Sequence, residues 1–180
     1  MHTLHSSAVN LSHSIPLPSL MASEQGQFSG YASTFTVDAA HDHIVQGAFS
    51  RTLRQWSMQK RCPNLYWEHN RDEPIGVIMT MKEDKKGLFV TGKLAMDFPM
   101  ARHAYALMAK GLKGLSIGFE TKKAYTQNGV RYITDLCLKE ISLVHHPCNA
   151  SAHIVEYKNK YMMECVTALN QLCQTMTLKK

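Results

Sequence analysis

The 180-residue sequence predicts a mixed β and α fold, in which a mostly antiparallel small β-barrel or sandwich is flanked by helices. Three observations support this prediction. Runs of alternating apolar and polar residues, rich in aromatic and β-branched side chains, indicate about seven strands. Other segments repeat their apolar residues every three or four positions, as one face of a helix does. Short turn signals join consecutive strand-like runs, which favours antiparallel neighbours.

The strand-like runs begin at residue 28 and are separated by polar segments. In order they are FSGYASTFTV, NLYWEHN, GVIMTMKED, GLFVTGKLAMD, LSIGFETKKAY, VRYITDLCLKEISLV and AHIVEYK. After the first, DAAHDHIVQG is predicted to be a polar connection, and after the second, NRDEPIG is a turn marked by Pro74 and Gly76. DKKG and TQNG are predicted to close two hairpins, the latter through Asn128-Gly129, the strongest short hairpin signal.

Two helices are predicted within this pattern. AFSRTLRQW places Phe49, Leu53 and Trp56 on one helical face. FPMARHAYALMAK is preceded by Asp97, which can cap its first turn, and is followed by Gly111 as its C-terminal stop.

The pattern divides the chain into a leader, a folded domain and a tail. Residues 1–26 are rich in Ser, His and Pro, which predicts a disordered leader without secretory-signal features; Met21 is an alternative start to Met1. The folded domain is expected over 27–158, and 159–180 is expected to be an amphipathic helical tail. Its apolar face comprises Met162, Val166, Leu169, Cys173 and Met176.

Composition narrows the function classes. The net charge is +6, and because the first 50 residues contain no Lys or Arg, the basic groups all follow them. This favours an anionic partner, but the 8% aromatic content and the lack of a recognised motif disfavour nucleic-acid binding. No apolar run is long enough to span a membrane. Five cysteines without a C-x-x-C pair indicate a reducing, cytosolic compartment. The HDH run at 41–43 is interpreted as a polar turn rather than a metal site, so no metal or cofactor is predicted.

Ser116 is the first candidate catalytic residue. Residues 114–118, GLSIG, match the G-x-S-x-G pattern of serine hydrolases. A hydrolase elbow turns from a strand into a helix, whereas here the predicted helix precedes Ser116 and a strand follows it, so an α/β-hydrolase is disfavoured. Alternation instead places Ser116 and Gly118 on one face of a strand, where a small residue beside the serine leaves space for a substrate.

A serine nucleophile needs a base, and a base needs an orienting partner. His69 is predicted at the end of a strand, on the same face as Leu65 and Trp67; a histidine bonded to a backbone carbonyl is the structural alternative. Glu140 lies among apolar residues, where an unpaired carboxylate is expensive. It is predicted either to orient an imidazole or to form a salt bridge with Lys139 or Arg131.

Seven segments together resemble one family of proteases. They are GYASTF, GAFSRTL, LYWEHN followed by PIGV, GLFVTGKL, AYALMAKGLKGLSIGF, VRYITDLCLKEISLV and HPCNASAHIVEYK. In this order, over about residues 28–158, they resemble the prohead maturation proteases of tailed bacteriophages. That family is similar in fold to the herpesvirus assemblins, a β-barrel surrounded by helices. The resemblance implies that 27–158 is a serine protease domain of herpesvirus-assemblin-like fold.

The resemblance also implies roles for particular residues. Ser116 is implied as the nucleophile, His69 as the general base and acid, and Glu140 as the residue that orients His69. Because the herpesvirus relatives use a histidine in the third role, His145 and His146 are alternatives to Glu140. The oxyanion donors are left open between backbone amides near Ser116 and an arginine such as Arg131.

The partners and the compartment are implied by the same resemblance. The expected substrates are the scaffolding protein, the scaffold-like N-terminal region of the major capsid protein, and the protease itself. No cofactor is implied. The site of action would be the assembling procapsid in the host bacterial cytoplasm, with a homodimer possible through the tail. A noncatalytic capsid-assembly or scaffold-binding module is the alternative function.

Overall fold

The computed structural model describes residues 25–158, which form eight strands and two helices. The strands are β1 Gln27–Thr34, β2 Asp42–Ile44, β3 Asn64–Trp67, β4 Asn70–Glu83, β5 Gly87–Leu94, β6 Gly114–Gln127, β7 Val130–Val144 and β8 Ile154–Tyr157. The helices are α1 Ser50–Met58 and α2 Pro99–Ala109. The predicted tail at 159–180 and all but two residues of the predicted leader lie outside the described residues.

The strands form one mixed sheet in the order β2-β7-β3-β4-β5-β1-β8, with β6 paired to β7 beside this path. Most ladders are antiparallel, but β2 and β3 run parallel to β7. An isolated bridge from Gly114 to His153 connects the start of β6 to the segment before β8. The sheet is therefore mostly antiparallel and flanked by two helices, as predicted, and its two parallel pairs make it a mixed sheet. It is not closed into a barrel, so the predicted small barrel is not confirmed.

The core lies on one face of these strands and under the two helices. Leu65, Ile75, Leu115 and Ile141 are fully buried there, in agreement with the alternation of their strands. Helix α2 covers the core with a face formed by Ala101, Ala104, Tyr105 and Met108. No helix in residues 25–158 has the length and apolar character needed to cross a bilayer.

Strand β2 was missed because its three residues lie in a segment that is polar overall. It pairs with Arg131–Ile133 of β7, and the Arg131 guanidinium binds the Asp42 carboxylate, with Nε 2.7 Å from Oδ1. Asp42 and His43 of the HDH run therefore lie in an edge strand rather than a turn, and His41 before them lies in a bend with a φ of 60°. The ring of His43 lies 5.1 Å from the ring of Tyr132 and is tilted by 30° to it. Residues 25–158 contain no cluster of three or more potential metal ligands.

The turn predicted at NRDEPIG is wrong, because β4 already begins at Asn70. The chain reverses two residues earlier: Trp67 pairs with Asn70, and Glu68 and His69 between them have φ of 47° and 59°. Two consecutive residues with positive φ are typical of a tight type I′ hairpin. Pro74 is accommodated in β4 where the register with β3 shifts.

The other predicted turns are confirmed, but one predicted cap is not. Asn128 and Gly129 have φ of 52° and 76° between β6 and β7, and Gly111 ends the second helical segment with φ of 106°. Helix α2 begins after Phe98, whose extended backbone makes it the N-cap residue, and no side chain caps it. Asp97 is therefore one position too early to cap the helix.

Candidate active site

Ser116 lies on β6 directly opposite Ser142 of β7, and two residues further on Gly118 lies opposite Glu140. Directly paired residues share one face of a sheet. Leu115 and Ile117 point to the other face, where they pair with the buried Leu143 and Ile141. The β6–β7 ladder therefore places a core on one face and Ser116, Gly118, Glu140 and Ser142 on the other.

The two glycines of the G-x-S-x-G match are required by close packing. A Cβ on Gly118 would lie 2.2 Å from Glu140 Oε1, and one on Gly114 would lie 2.4 Å from the Val144 carbonyl oxygen. Real Cβ atoms do not approach other atoms this closely. Any residue larger than glycine at either position would therefore have to displace its neighbour. The match reflects two contacts between β6 and β7, and the context of a hydrolase elbow is absent.

Glu140 is bound through both of its carboxylate oxygens. Its Oε1 lies 2.6 Å from His69 Nδ1, and its Oε2 accepts a 2.6 Å hydrogen bond from Ser142 Oγ. Ser142 Oγ in turn accepts the backbone N–H of His69 at 3.2 Å. Because Glu140 is only 5% exposed, these contacts compensate the burial of its charge.

The Glu68-His69 turn determines where the imidazole lies. The alternation expected from a continuous strand does not hold at His69, because β3 ends at Trp67 and His69 adopts a left-handed conformation. Strand β3 runs parallel to β7 and ends with Trp67 opposite Leu143. The turn that follows reverses the chain, so that His69 contacts Ser142 and Glu140. The positive φ of His69 is a costly conformation for a non-glycine residue, and it occurs where the side chain contacts Glu140.

The contact with Glu140 raises the pKa of His69. The hydrogen bond to Glu140 is the main cause, with smaller contributions from the charges of Glu140 and Glu68, while partial burial acts in the opposite direction. The carboxylate stabilises the imidazolium, so His69 binds a proton more tightly than a free histidine does. A bond from Nδ1 to the carboxylate also leaves Nε2 of the neutral ring free to accept a proton.

His69 and Ser116 line the same cavity, which has a volume of about 270 Å³. The cavity lies between β1 and β6. Its other walls are formed by Ala32, Ser33, Thr34, Thr36, Asp38, Ala40, Asp42, Ile44, Leu115, Ile117, Phe119, Cys148 and Asn149. The structure thus brings Ser116, His69 and Glu140 together within one site, although their catalytic roles stay predictions.

The alternatives for the third member lie elsewhere. His145 is bound to Glu68: its backbone N–H donates to Glu68 Oε1 at 2.8 Å, and its Nδ1 contacts the same oxygen. Its ring meets the edge of Trp67. His146 is exposed and lies beside the ring of His145. Neither histidine is bonded to His69 within the described residues.

The predicted salt bridges of Glu140 are not formed. Lys139 is exposed, and its Nζ lies 3.3 Å from Glu120 Oε2. Arg131 is bound to Asp42. Asp42 lines the cavity, whereas Arg131, which is bound to its carboxylate, does not. Arg131 as an oxyanion donor stays a prediction.

Ser142 is a member of the site that sequence reasoning missed. A signal was present, because Glu140 and Ser142 are two residues apart on a strand and must share a face. The neighbouring Ile141 and Leu143 give the segment the pattern of a buried core strand, in which a single serine is not a distinctive signal.

Comparison with known proteins places the chain in a family. The family model of the caudovirus prohead serine proteases matches residues 14–165, so the chain belongs to this family. It is similar to the prohead protease of Enterobacteria phage HK97, with 35% identity over 142 residues, 76% of this chain and 62% of that protein. The prohead protease of Escherichia phage T5 is 29% identical over 123 residues, 67% of this chain and 57% of that protein.

A third relative, the capsid polyprotein of Pseudomonas phage PAJU2, is 33% identical over 102 residues, 52% of this chain and 15% of that protein. The chain thus spans less than two thirds of the length of each of these relatives.

Solved structures show the same fold at low sequence identity. The bacteriophage T4 capsid assembly protease matches with a TM-score of 0.57 and 10% identity, covering 67% of this chain and 82% of that one. A Kaposi's sarcoma-associated herpesvirus protease, solved with a hexapeptide phosphonate inhibitor, matches with a TM-score of 0.50 and 14% identity, covering 76% and 66%. These similarities support the predicted resemblance to phage and herpesvirus capsid proteases.

Proposed function

We propose that this chain is a serine endopeptidase of procapsid maturation, with Ser116 as nucleophile, His69 as general base and acid, and Glu140 as the residue that orients His69. The observation that supports this most strongly is the 2.6 Å contact between His69 Nδ1 and Glu140 Oε1, on a histidine that shares a cavity with Ser116. Family membership supports the same chemistry.

The proposed reaction begins with attack on a peptide carbonyl. Ser116 Oγ bonds to the carbonyl carbon while His69 Nε2 takes the hydroxyl proton. The same proton then passes to the departing amine, and the C–N bond breaks to leave an acyl-enzyme. Water, deprotonated by His69, hydrolyses the ester. No metal or organic cofactor is required by these steps.

The role of Glu140 follows from its contact with Nδ1. A carboxylate at this nitrogen holds the tautomer whose Nε2 lone pair faces the nucleophile, and it stabilises the imidazolium formed in each proton transfer. The same stabilisation of the imidazolium by Glu140 raises the pKa of His69. Because Glu140 itself is held by Ser142, little reorganisation is needed as charge develops.

The edges of the sheet suggest how a substrate would approach. In the described part of the chain, one edge of β6 pairs with β7. The opposite edge is bonded, among the described residues, only at the start of the strand, where Gly114 forms a bridge with His153 and the Leu115 N–H donates to the Ala152 carbonyl. Beyond Leu115 this second edge borders the cavity, across from the end of β1. An extended peptide could add to such an edge through backbone hydrogen bonds, with its scissile bond beside Ser116.

The proposed substrates are the scaffolding protein, the scaffold-like N-terminal region of the major capsid protein and the protease itself, cleaved inside the assembling procapsid in the host cytoplasm. The similarity to a segment of a capsid polyprotein supports a link between this domain and capsid protein. Confinement would raise the effective substrate concentration, so modest affinity is sufficient. The net charge of +6 favours association with an acidic scaffold.

Co-expression with the cognate capsid or scaffold protein tests this function. The substrate is analysed by intact-mass spectrometry beside a Ser116→Ala control. The proposal predicts a discrete truncation with the wild type that is absent with the variant. Truncation that persists with Ser116→Ala would exclude this nucleophile. Assembly of capsids without any truncation would favour a noncatalytic capsid-assembly or scaffold-binding module.

A further inference from the structure

We propose that Ser142 is a positioning residue of this site: its hydroxyl fixes the Glu140 carboxylate and the His69 turn relative to each other, so that the imidazole is aligned with Ser116. This inference rests on the proposed function for its effect on catalysis. Its structural part, the alignment of His69 by Ser142, can be measured without any substrate.

The direction of each hydrogen bond at Ser142 is determined by its partners. The backbone N–H of His69 can only donate, so Ser142 Oγ accepts this bond at 3.2 Å. An ionised carboxylate can only accept, so the hydroxyl proton of Ser142 is directed to Glu140 Oε2, at 2.6 Å. One hydroxyl therefore joins a backbone group of the turn to the carboxylate that contacts the ring of the same turn.

This connection constrains motions that the fold otherwise permits. The terminal torsion of a glutamate is broad, so one contact through Oε1 would leave the carboxylate free to rotate. Binding at Oε2 removes that freedom. The left-handed conformation of His69 costs free energy, and the bond from its N–H to Ser142 helps to maintain it. Loss of the hydroxyl would relax both groups.

Ser142 acts through its neighbours and not on the substrate. Its side chain is completely buried, whereas Ser116 and His69 line the cavity. Its removal should therefore lower kcat and leave KM nearly unchanged. Because misplacement of a catalytic group by about 1 Å can reduce the rate about 100-fold, we expect Ser142→Ala to lower kcat by about 10- to 100-fold.

The test compares His69 in two full-length proteins, Ser116→Ala and Ser116→Ala with Ser142→Ala, by imidazole NMR across pH. In the first, the contact with Glu140 holds the pKa of His69 above its ordinary value. In the second, a freed carboxylate binds the ring less well, so the pKa should fall towards that value, with part of the rise retained from Glu68. An unchanged or higher pKa would show that Ser142 does not position Glu140, and would overturn the inference.

A matched control separates positioning from general destabilisation. Thr52 is buried on α1, and its hydroxyl accepts the N–H of Leu138 at 3.1 Å, outside the site. Thr52→Val should lower the melting temperature but leave kcat and the pKa of His69 unchanged. Equal rate losses in Thr52→Val and Ser142→Ala would overturn the inference.

A second variant is available if Ser142→Ala does not fold. Ser142→Cys retains a side chain of similar shape with a weaker donor, so the pKa of His69 should take an intermediate value. If the pKa of His69 in this variant equals its value in the protein that retains Ser142, the inference would be contradicted. The proposed function fails separately: if cleavage survives Ser116→Ala, the nucleophile is wrong, whereas the NMR result still decides the role of Ser142.

Discussion

Replacement of Gly118 by alanine should displace Glu140 without changing any polar group of the site. A Cβ at this position would lie 2.2 Å from Glu140 Oε1, 2.9 Å from its Cδ and 3.0 Å from its Cγ. Non-bonded heavy atoms prefer a separation of about 3.5 Å, so Oε1 must retreat by roughly 1 Å. Oε1 is the atom that contacts His69 Nδ1.

The size of this displacement determines the expected effect. The contact between His69 Nδ1 and Glu140 Oε1 is 2.6 Å long, and a movement of Oε1 by about 1 Å would distort or break it. We expect kcat to fall about 100-fold, since a shift of this size at a catalytic group has that order of effect. The pKa of His69 should fall towards its ordinary value, and overpacking should destabilise the fold by about 1–3 kcal/mol.

A double-mutant cycle provides the assay. Cleavage rates are measured for Gly118→Ala, Glu140→Ala and the double variant on the cognate capsid protein. If Gly118 acts through Glu140, the substitution of Gly118 should cause no further loss once the carboxylate is gone. Gly92→Ala is the control, because its Cβ would meet Phe28 at 2.5 Å, away from the site. Additive losses in the cycle, or an equal loss of kcat in Gly92→Ala, would refute the reasoning.

Three further predictions concern pH, the alternative histidine and a turn. Since the base must be neutral and Glu140 raises the pKa of His69, kcat/KM should fall on the acid side with a midpoint above 6.5, and a midpoint at or below 6.5 would contradict this contact. His145→Gln should leave cleavage within about twofold of wild type because His145 is bound to Glu68, whereas a loss of about 100-fold or more would place it in the triad. Gly129 has a φ of 76°, a conformation that is unfavourable for a residue with a Cβ, so Gly129→Ala should lower the stability by about 1 kcal/mol with activity retained. An unchanged melting temperature would show that this turn does not require glycine.

Much of the fold could be predicted because its signals are local. The alternation in β6 and β7, the Asn128-Gly129 turn and the Gly111 stop after α2 are each signals carried by neighbouring residues, and the structure confirms each of them. Strand β2 could not be found in this way, because its three residues are stabilised by pairing with Arg131–Ile133, about ninety residues away. The absence of closure into a barrel likewise depends on contacts between distant strands.

The candidate site was predictable in its residue types more than in its geometry. The sequence indicated that a carboxylate at Glu140 needed a partner, and the structure provides one in His69. The sequence did not indicate that His69 lies in a turn with positive φ, because Glu68 and His69 are not typical turn residues. The hydroxyl of Ser142 was missed for a related reason: its importance depends on two partners from different parts of the chain.

Covalent labelling with a fluorophosphonate tests the central claim most directly. The reagent forms an adduct with an activated serine, and peptide mapping by mass spectrometry identifies the residue. The proposed function predicts an adduct on Ser116 that is lost in Ser116→Ala and strongly reduced in His69→Ala, because the hydroxyl is a weak nucleophile without its base. An adduct on a different serine, or equal labelling of Ser116 without His69, would contradict the proposed pairing of Ser116 with His69.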